Sequence, residues 1–220
     1  NEQIRRDLYR PGARLKLYVL AVEMTARGPE ILLSRATNNM VSAIFTTEIP
    51  EISDQSVVIR GIARDPGNRS KVAVFTEDEN IDPIGACIGQ RGSRITTIIE
   101  ELGGEKIDII QYSDDSAEYI KYALSPAKVR SVELNTETKE AKAIVQSDQF
   151  SLAIGRGGQN VRLAAELTGW RITVVEDGAG TVVSSDEDNE TVEKKLLSEA
   201  GDKSAAPEPE SQEKTEKAAE

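Results

Sequence analysis

One short pattern, occurring twice in the same context, constrains this chain more than any other feature. Ile88-Gly89-Gln90-Arg91-Gly92 and Ile154-Gly155-Arg156-Gly157-Gly158 each interrupt a stretch that otherwise reads as helix. The residues after them also correspond, a polar pair followed by a β-branched residue: Ser93-Arg94-Ile95 in the first and Gln159-Asn160-Val161 in the second. Around both runs the order helix–strand–strand–helix–loop–helix–strand can be read, and a supersecondary unit found twice in one order implies a tandem repeat of one small fold.

The first unit starts with a helix over roughly Ala36 to Thr47, ending before Pro50. Strands follow at Ser56–Arg64 and Lys71–Thr76 across Asp65-Pro66-Gly67-Asn68, whose residue types favour a tight turn. Asp82-Pro83 supplies an N-cap and a first-turn proline for a helix reaching Ile88. Beyond the loop, Ile95, Ile98, Ile99 and Leu102 recur at helical spacing. Gly103-Gly104 ends that helix, and Lys106–Gln111 reads as a strand. In the second unit the helices are Ser116–Leu124, Asp148–Ile154 and Gln159–Thr168, with strands Val129–Leu134, Ala141–Gln146 and Arg171–Glu176. Asp114-Asp115 could be a metal pair or the cap of the helix from Ser116, and capping is the simpler reading. Trp170, just past a helix end, is assigned to core packing rather than to base stacking.

Before the first unit, Arg14–Glu23 alternates like a strand and turns at Arg27-Gly28-Pro29 into Glu30–Ser34. A two-stranded hairpin has no stable core of its own, so it reads as the closing part of a small barrel. The chain lacks an initiator Met and opens abruptly, as a fragment of a longer protein would. Four segments result: 1–36, the incomplete end of a barrel; 37–112 and 113–177, the two repeats; and 178–220, an acidic tail expected to be disordered apart from a transient helix over Thr191–Leu197, since Ser, Asp, Glu, Lys, Ala and Pro dominate it.

The formal charge of −11 argues at first against a polyanionic partner. The acidity is concentrated, however: residues 177–220 hold 13 acidic and 5 basic residues, against 25 and 22 in residues 1–176. Net charge therefore says little about the surface of the folded part. Histidine is absent, which removes the commonest general acid/base and metal ligand, and no enzyme is expected. One cysteine, Cys87, excludes an intrachain disulfide and a cysteine-built zinc site. No signal peptide or membrane-spanning run is seen. The expectation is a cytoplasmic monomer without metal or cofactor. Neither glycine cluster is followed by lysine as in a nucleoside triphosphate loop, and neither opens from a strand as in a dinucleotide fold.

What remains is backbone recognition. Glycines between two helices allow a phosphate strand to approach, and the amides opening the second helix point towards it. Gly89, Gln90, Arg91, Gly92, Ser93 and Arg94 form the first candidate RNA-binding set. Gly155, Arg156, Gly157, Gly158, Gln159, Asn160 and Arg162 form the second. The arginines are assigned to phosphates, and Ile88, Ile95, Ile154 and Val161 to the core. Gly89→Asp combined with Gly155→Asp is expected to weaken binding of single-stranded RNA severely while the fold survives.

The arrangement resembles the KH domain in its bacterial topology, an α+β fold ordered α-β-β-α-α-β whose glycine loop clamps about four nucleotides. More closely, Ile84 to Ile95 with Gly104 to Ile110, and Phe150 to Arg156 with Gly158 to Ala164 and Leu167-Thr168-Gly169-Trp170, are similar to the NusA family of transcription factors. Arg27-Gly28-Pro29 and Leu33-Ser34-Arg35 resemble the end of the OB-type barrel preceding the KH pair in that family. The resemblance covers about Arg10 to Glu176. It implies two KH domains packed on each other, binding nascent single-stranded RNA and modulating pausing, termination and antitermination, with RNA polymerase as partner of the full-length protein. The family's N-terminal polymerase-docking domain has no counterpart here. A KH-fold protein-interaction scaffold and a ribosome-associated RNA-binding protein remain open as alternatives.

Overall fold

The computed structural model describes residues 2–4, 7, 9–178 and 181–202, with the side chains of 189 and 197–202 left aside. Strands β1 (Tyr18–Thr25) and β2 (Gly28–Ser34) pair as an antiparallel hairpin. The first strand begins four residues later than its alternation suggests. Val19, Val22 and Met24 on β1 and Ile31 and Leu32 on β2 are exposed.

The first repeat comprises α1 (Asn38–Glu48), α2 (Pro50–Ser53), β3 (Val58–Asp65), β4 (Arg69–Phe75), α3 (Pro83–Ile88), α4 (Ser93–Glu101) and β5 (Lys106–Gln111). The β3–β4 pair is antiparallel and the β4–β5 pair parallel, so β4 is central. Its buried Val72, Ala73 and Val74 read as a continuous apolar run, as a strand covered on both faces does. One face packs on Met40, Val41, Ile44 and Phe45 of α1 and Ile98 of α4. Cys87 is buried in the same core, where burial pushes its thiol up to about 12.

The second repeat has α5 (Ser116–Ala123), β6 (Val129–Asn135), β7 (Glu140–Val145), α6 (Ser147–Ile154), α7 (Gln159–Thr168) and β8 (Arg171–Glu176), with the same antiparallel–parallel sheet. Asp115 is the cap of α5, its carboxylate accepting from Ala117 N at 2.9 Å, while Asp114 accepts from the Tyr112 hydroxyl. Trp170 packs against the core.

The repeats are packed together. Ala73 and Ile110 of the first sheet meet Tyr119, Tyr122 and Leu167 of the second repeat, and the Tyr119 hydroxyl donates to the Leu167 carbonyl. Gly61 in β3 admits this approach, because a Cβ there would stand 3.3 Å from Leu167 Cδ1. Lys71 Nζ crosses the boundary to the Ser125 carbonyl at 2.9 Å.

The disordered-tail expectation needs correction. Val182–Ser184 form β9, antiparallel to β8, and Asn189–Asp202 form a helix, α8. Val183 and Val192 are wholly buried in the second core. A polar segment that could not build a core can still add to one, since a few apolar residues seated on an existing surface offset their own ordering. The remainder of the expected tail, 203–220, lies outside the described residues. Among the described residues no helix is long and apolar enough to cross a membrane.

Candidate nucleic-acid interface

The two loops have one conformation. Gly89 lies at φ 73°, ψ 176° and Gly155 at φ 73°, ψ 174°, a region open essentially to glycine alone. The third loop residues, Arg91 and Gly157, are both left-handed, at φ 52° and 55° with ψ 28°. Gly92 and Gly158 are left-handed too, both at φ 77°. Each loop closes with a bond from its last glycine amide to the carbonyl of its first, 3.1 Å in one and 3.2 Å in the other. Gly92 and Gly158 then cap α4 and α7 without a side chain to occupy the first-turn amides, which leaves a helix N-terminus facing whatever lies across the loop.

The first glycine of each loop has a further cause. A Cβ at Gly89 would come within 2.7 Å of Arg94 Cγ, and one at Gly155 within 2.8 Å of Asn160 Cβ. Gly89→Asp and Gly155→Asp therefore strain the backbone and displace a neighbour, contrary to the expectation that the fold would be unaffected. Exposed loop positions are the better probes.

Not every expected phosphate contact is free to be one. Gln90, Arg91 and Ser93 are exposed at the first loop, and Arg156 at the second; Arg162 is exposed too but engaged with its own loop. Arg94, by contrast, turns back: its Nη1 donates to Glu51 Oε2 at 2.8 Å and to the Ala86 carbonyl at 2.7 Å. Asn160 is buried, its Nδ2 donating to the carbonyls of Leu124, Leu152 and Ala153. Gln159 Nε2 reaches Asp65 Oδ2 in the first repeat, and Arg162 Nη2 donates to the Gly157 carbonyl. Gly157 and Gly158 are buried. Ile154 is in the core as expected, whereas its counterpart Ile88 is 38% exposed.

The second loop opens into a cleft of about 560 Å³ between the repeats, lined by Arg156, Arg162, Asn68, Arg69, Lys106 and Glu193. Lys106 is exposed there, and Arg69 is held by Asp108 at 2.8 Å. Asn68, Arg69 and Lys106 escaped the sequence reading because they belong to the other repeat and carry no local motif.

Comparison with known proteins agrees with this geometry. Residues 35–112 match the NusA-like first KH domain, and residues 116–181 the NusA-like second KH domain. The transcription termination/antitermination protein NusA of Thermus thermophilus is 52% identical over 172 residues, 78% of this chain and 44% of that protein. The protein of the same name from Bacillus subtilis is 47% identical over 174 residues, covering 79% and 47%. That from Mycobacterium tuberculosis H37Rv is 50% identical over 177 residues, covering 80% and 51%. The chain spans about half the length of these curated relatives. Through its paired KH domains, this chain belongs to the NusA family.

Proposed function

We propose that the chain binds single-stranded RNA through its two KH loops, as the RNA-reading part of a transcription factor that modulates elongation, pausing, termination and antitermination in the cytoplasm. The matching backbone geometry of the two loops, with exposed Arg91 and Arg156 at their rims, carries this reading. Glycine-capped helix starts offer amides to phosphate oxygens, the arginines add charge, and bases splay into the groove beside each loop. The hairpin β1–β2 is read as the end of an OB-type barrel that extends the same RNA surface. The chain acts as a monomer, and polymerase contacts belong to the full-length protein. No step of this reading calls on catalysis, a metal or a cofactor.

The test is fluorescence anisotropy with a short labelled single-stranded RNA of mixed sequence. Gln90→Asp with Arg91→Asp places repulsive charge at exposed positions of the first loop, and Arg156→Asp does so at the second. Combining all three should abolish binding with the melting transition retained. Unchanged affinity in the combined variant would refute the loops as the RNA site.

A further inference from the structure

We infer that α8 is a built-in cap on the second KH loop, and that RNA reaches this loop only when the cap lifts. The two loops serve as each other's control. Their backbones coincide, yet Gly92 is partly exposed while Gly158 is buried, and Ile88 is 38% exposed while Ile154 is 0%. Helix α8 packs on the turn Arg156–Gly158. A Cβ at Gly158 would sit 3.0 Å from Arg162 Nη2 and 3.5 Å from Val192 Cγ2, so the Val192 side chain, beside the loop's own arginine, lies on the glycine that should face a phosphate.

The cap is anchored and complementary in charge. Val192 is wholly buried and Leu196 packs beside it. Lys195 Nζ donates to the Val182 carbonyl at 2.9 Å and to Glu187 Oε1 at 2.7 Å, tying α8 to β9. Asp188 starts the helix by accepting from Thr191 N at 2.8 Å. Glu193 enters the cleft shared by Arg156, Arg162, Arg69 and Lys106, where a carboxylate occupies ground suited to a phosphate. From Asp177 to Asp202 there are eight acidic and two basic residues. An acidic helix over a cationic loop competes with RNA for one surface, and the apparent affinity of the loop falls by the fraction of time the cap is open.

The inference rests on the proposed RNA reading, so the experiment must separate the two. In the Gln90→Asp/Arg91→Asp background, binding of the labelled RNA reports the second loop alone. Adding Val192→Asp, which expels the helix from its seat, should tighten binding about tenfold. Equal or weaker binding with the second domain still folded by circular dichroism overturns the cap. Because Val192→Asp could unfold that domain, hydrogen–deuterium exchange of the unmodified chain provides a second arm. RNA should slow exchange at Gly155–Gly158 and speed it across residues 190–196. Protection of both segments, or protection of the loop with α8 unchanged, overturns the cap while leaving RNA binding intact. Protection at neither loop overturns the RNA reading and the cap with it.

Discussion

Arg94 and Asn160 stand at the same place in their repeats, five residues beyond the first loop glycine, and both donate to the carbonyl three residues before that glycine. Arg94 Nη1 meets the Ala86 carbonyl at 2.7 Å, and Asn160 Nδ2 meets that of Leu152 at 3.3 Å. Different side chains thus perform one task. Each ties the end of the helix before the loop to the start of the helix after it, and each passes beneath a glycine whose missing Cβ makes room. The loop shape is held from within, independently of any ligand.

Asn160→Ala should therefore destabilise the second domain. Three carbonyls, those of Leu124 and Ala153 in buried bonds and that of Leu152 in a partly buried one, share the Asn160 amide, and leaving buried polar groups unpaired costs roughly 1–3 kcal/mol. Asn160→Asp should be worse near neutral pH, because a carboxylate would face those carbonyls. Its pKa would be raised in the folded state, so the deficit should shrink as the pH falls. Urea denaturation at several pH values measures both effects.

At the first loop, salt dependence separates a brace from a phosphate contact. Removing one phosphate contact lowers the slope of log affinity against log salt by about 0.7 for a single strand. Arg91→Ala should show that loss, since Arg91 is exposed at the rim. Arg94→Ala should leave the slope unchanged and instead lower stability. Arg94 and Glu51 are each about one-third exposed, so a double-mutant cycle between them should give only roughly 0.5–1 kcal/mol. A reduced slope for Arg94→Ala would return it to the RNA-contacting set.

Punctuation made most of the fold legible. Asp82-Pro83, the glycine loops, Gly103-Gly104 and Gly169 carry backbone requirements that local sequence states directly, and the elements they bound lie close to where they were predicted. Side-chain destinations were less legible. An arginine beside a glycine loop looks alike whether it faces solvent or Glu51, because Glu51 arrives from another helix. Arg35, buried against Asp7 and the Lys16 and Glu101 carbonyls, is hidden for the same reason. Strand β9 was missed, and α8 was expected only as a transient turn of helix over Thr191–Leu197, because Val183 and Val192 are isolated among acidic residues, and their partners exist only after the second domain has folded.

The turn of the first repeat depends on one buried ion pair. Glu105 accepts from Arg64 Nε at 2.9 Å and from Gly67 N at 2.7 Å, and both charged side chains are 0% exposed. Arg64 also donates to the Thr37 carbonyl at 2.6 Å. Removing one member strands the other charge, at a cost of about 3–5 kcal/mol. Glu105→Ala should lower the urea midpoint by a corresponding amount. It should also loosen the Asp65–Arg69 turn, which lines the cleft between repeats. A near-neutral Glu105→Ala would show that the pair is not required.

Lys71 gives the interface between the domains a dependence on alkaline pH. Its ammonium is buried between Asp108 Oδ2, at 3.2 Å, and the Ser125 carbonyl of the second domain. Burial pulls its pKa down to about 8, against which the Asp108 charge acts only partly. The unfolded chain, with an ordinary lysine, holds that proton up to about 10.5. Between these values the unfolded state binds more protons than the folded one, so this group makes stability rise with pH across that window. Below about pH 8 both states are protonated and the contribution is flat. For a shift of this size the rise is on the order of 3 kcal/mol. Cys87 and Tyr119, both raised by burial to about 12, act oppositely as their unfolded forms ionise, so the wild-type curve alone is ambiguous. Comparison with Lys71→Met isolates the lysine, because the other groups are common to both proteins. The wild type should gain on the variant between pH 8 and 10 in urea denaturation, and parallel curves would mean that Lys71 keeps an ordinary pKa at the boundary between the domains.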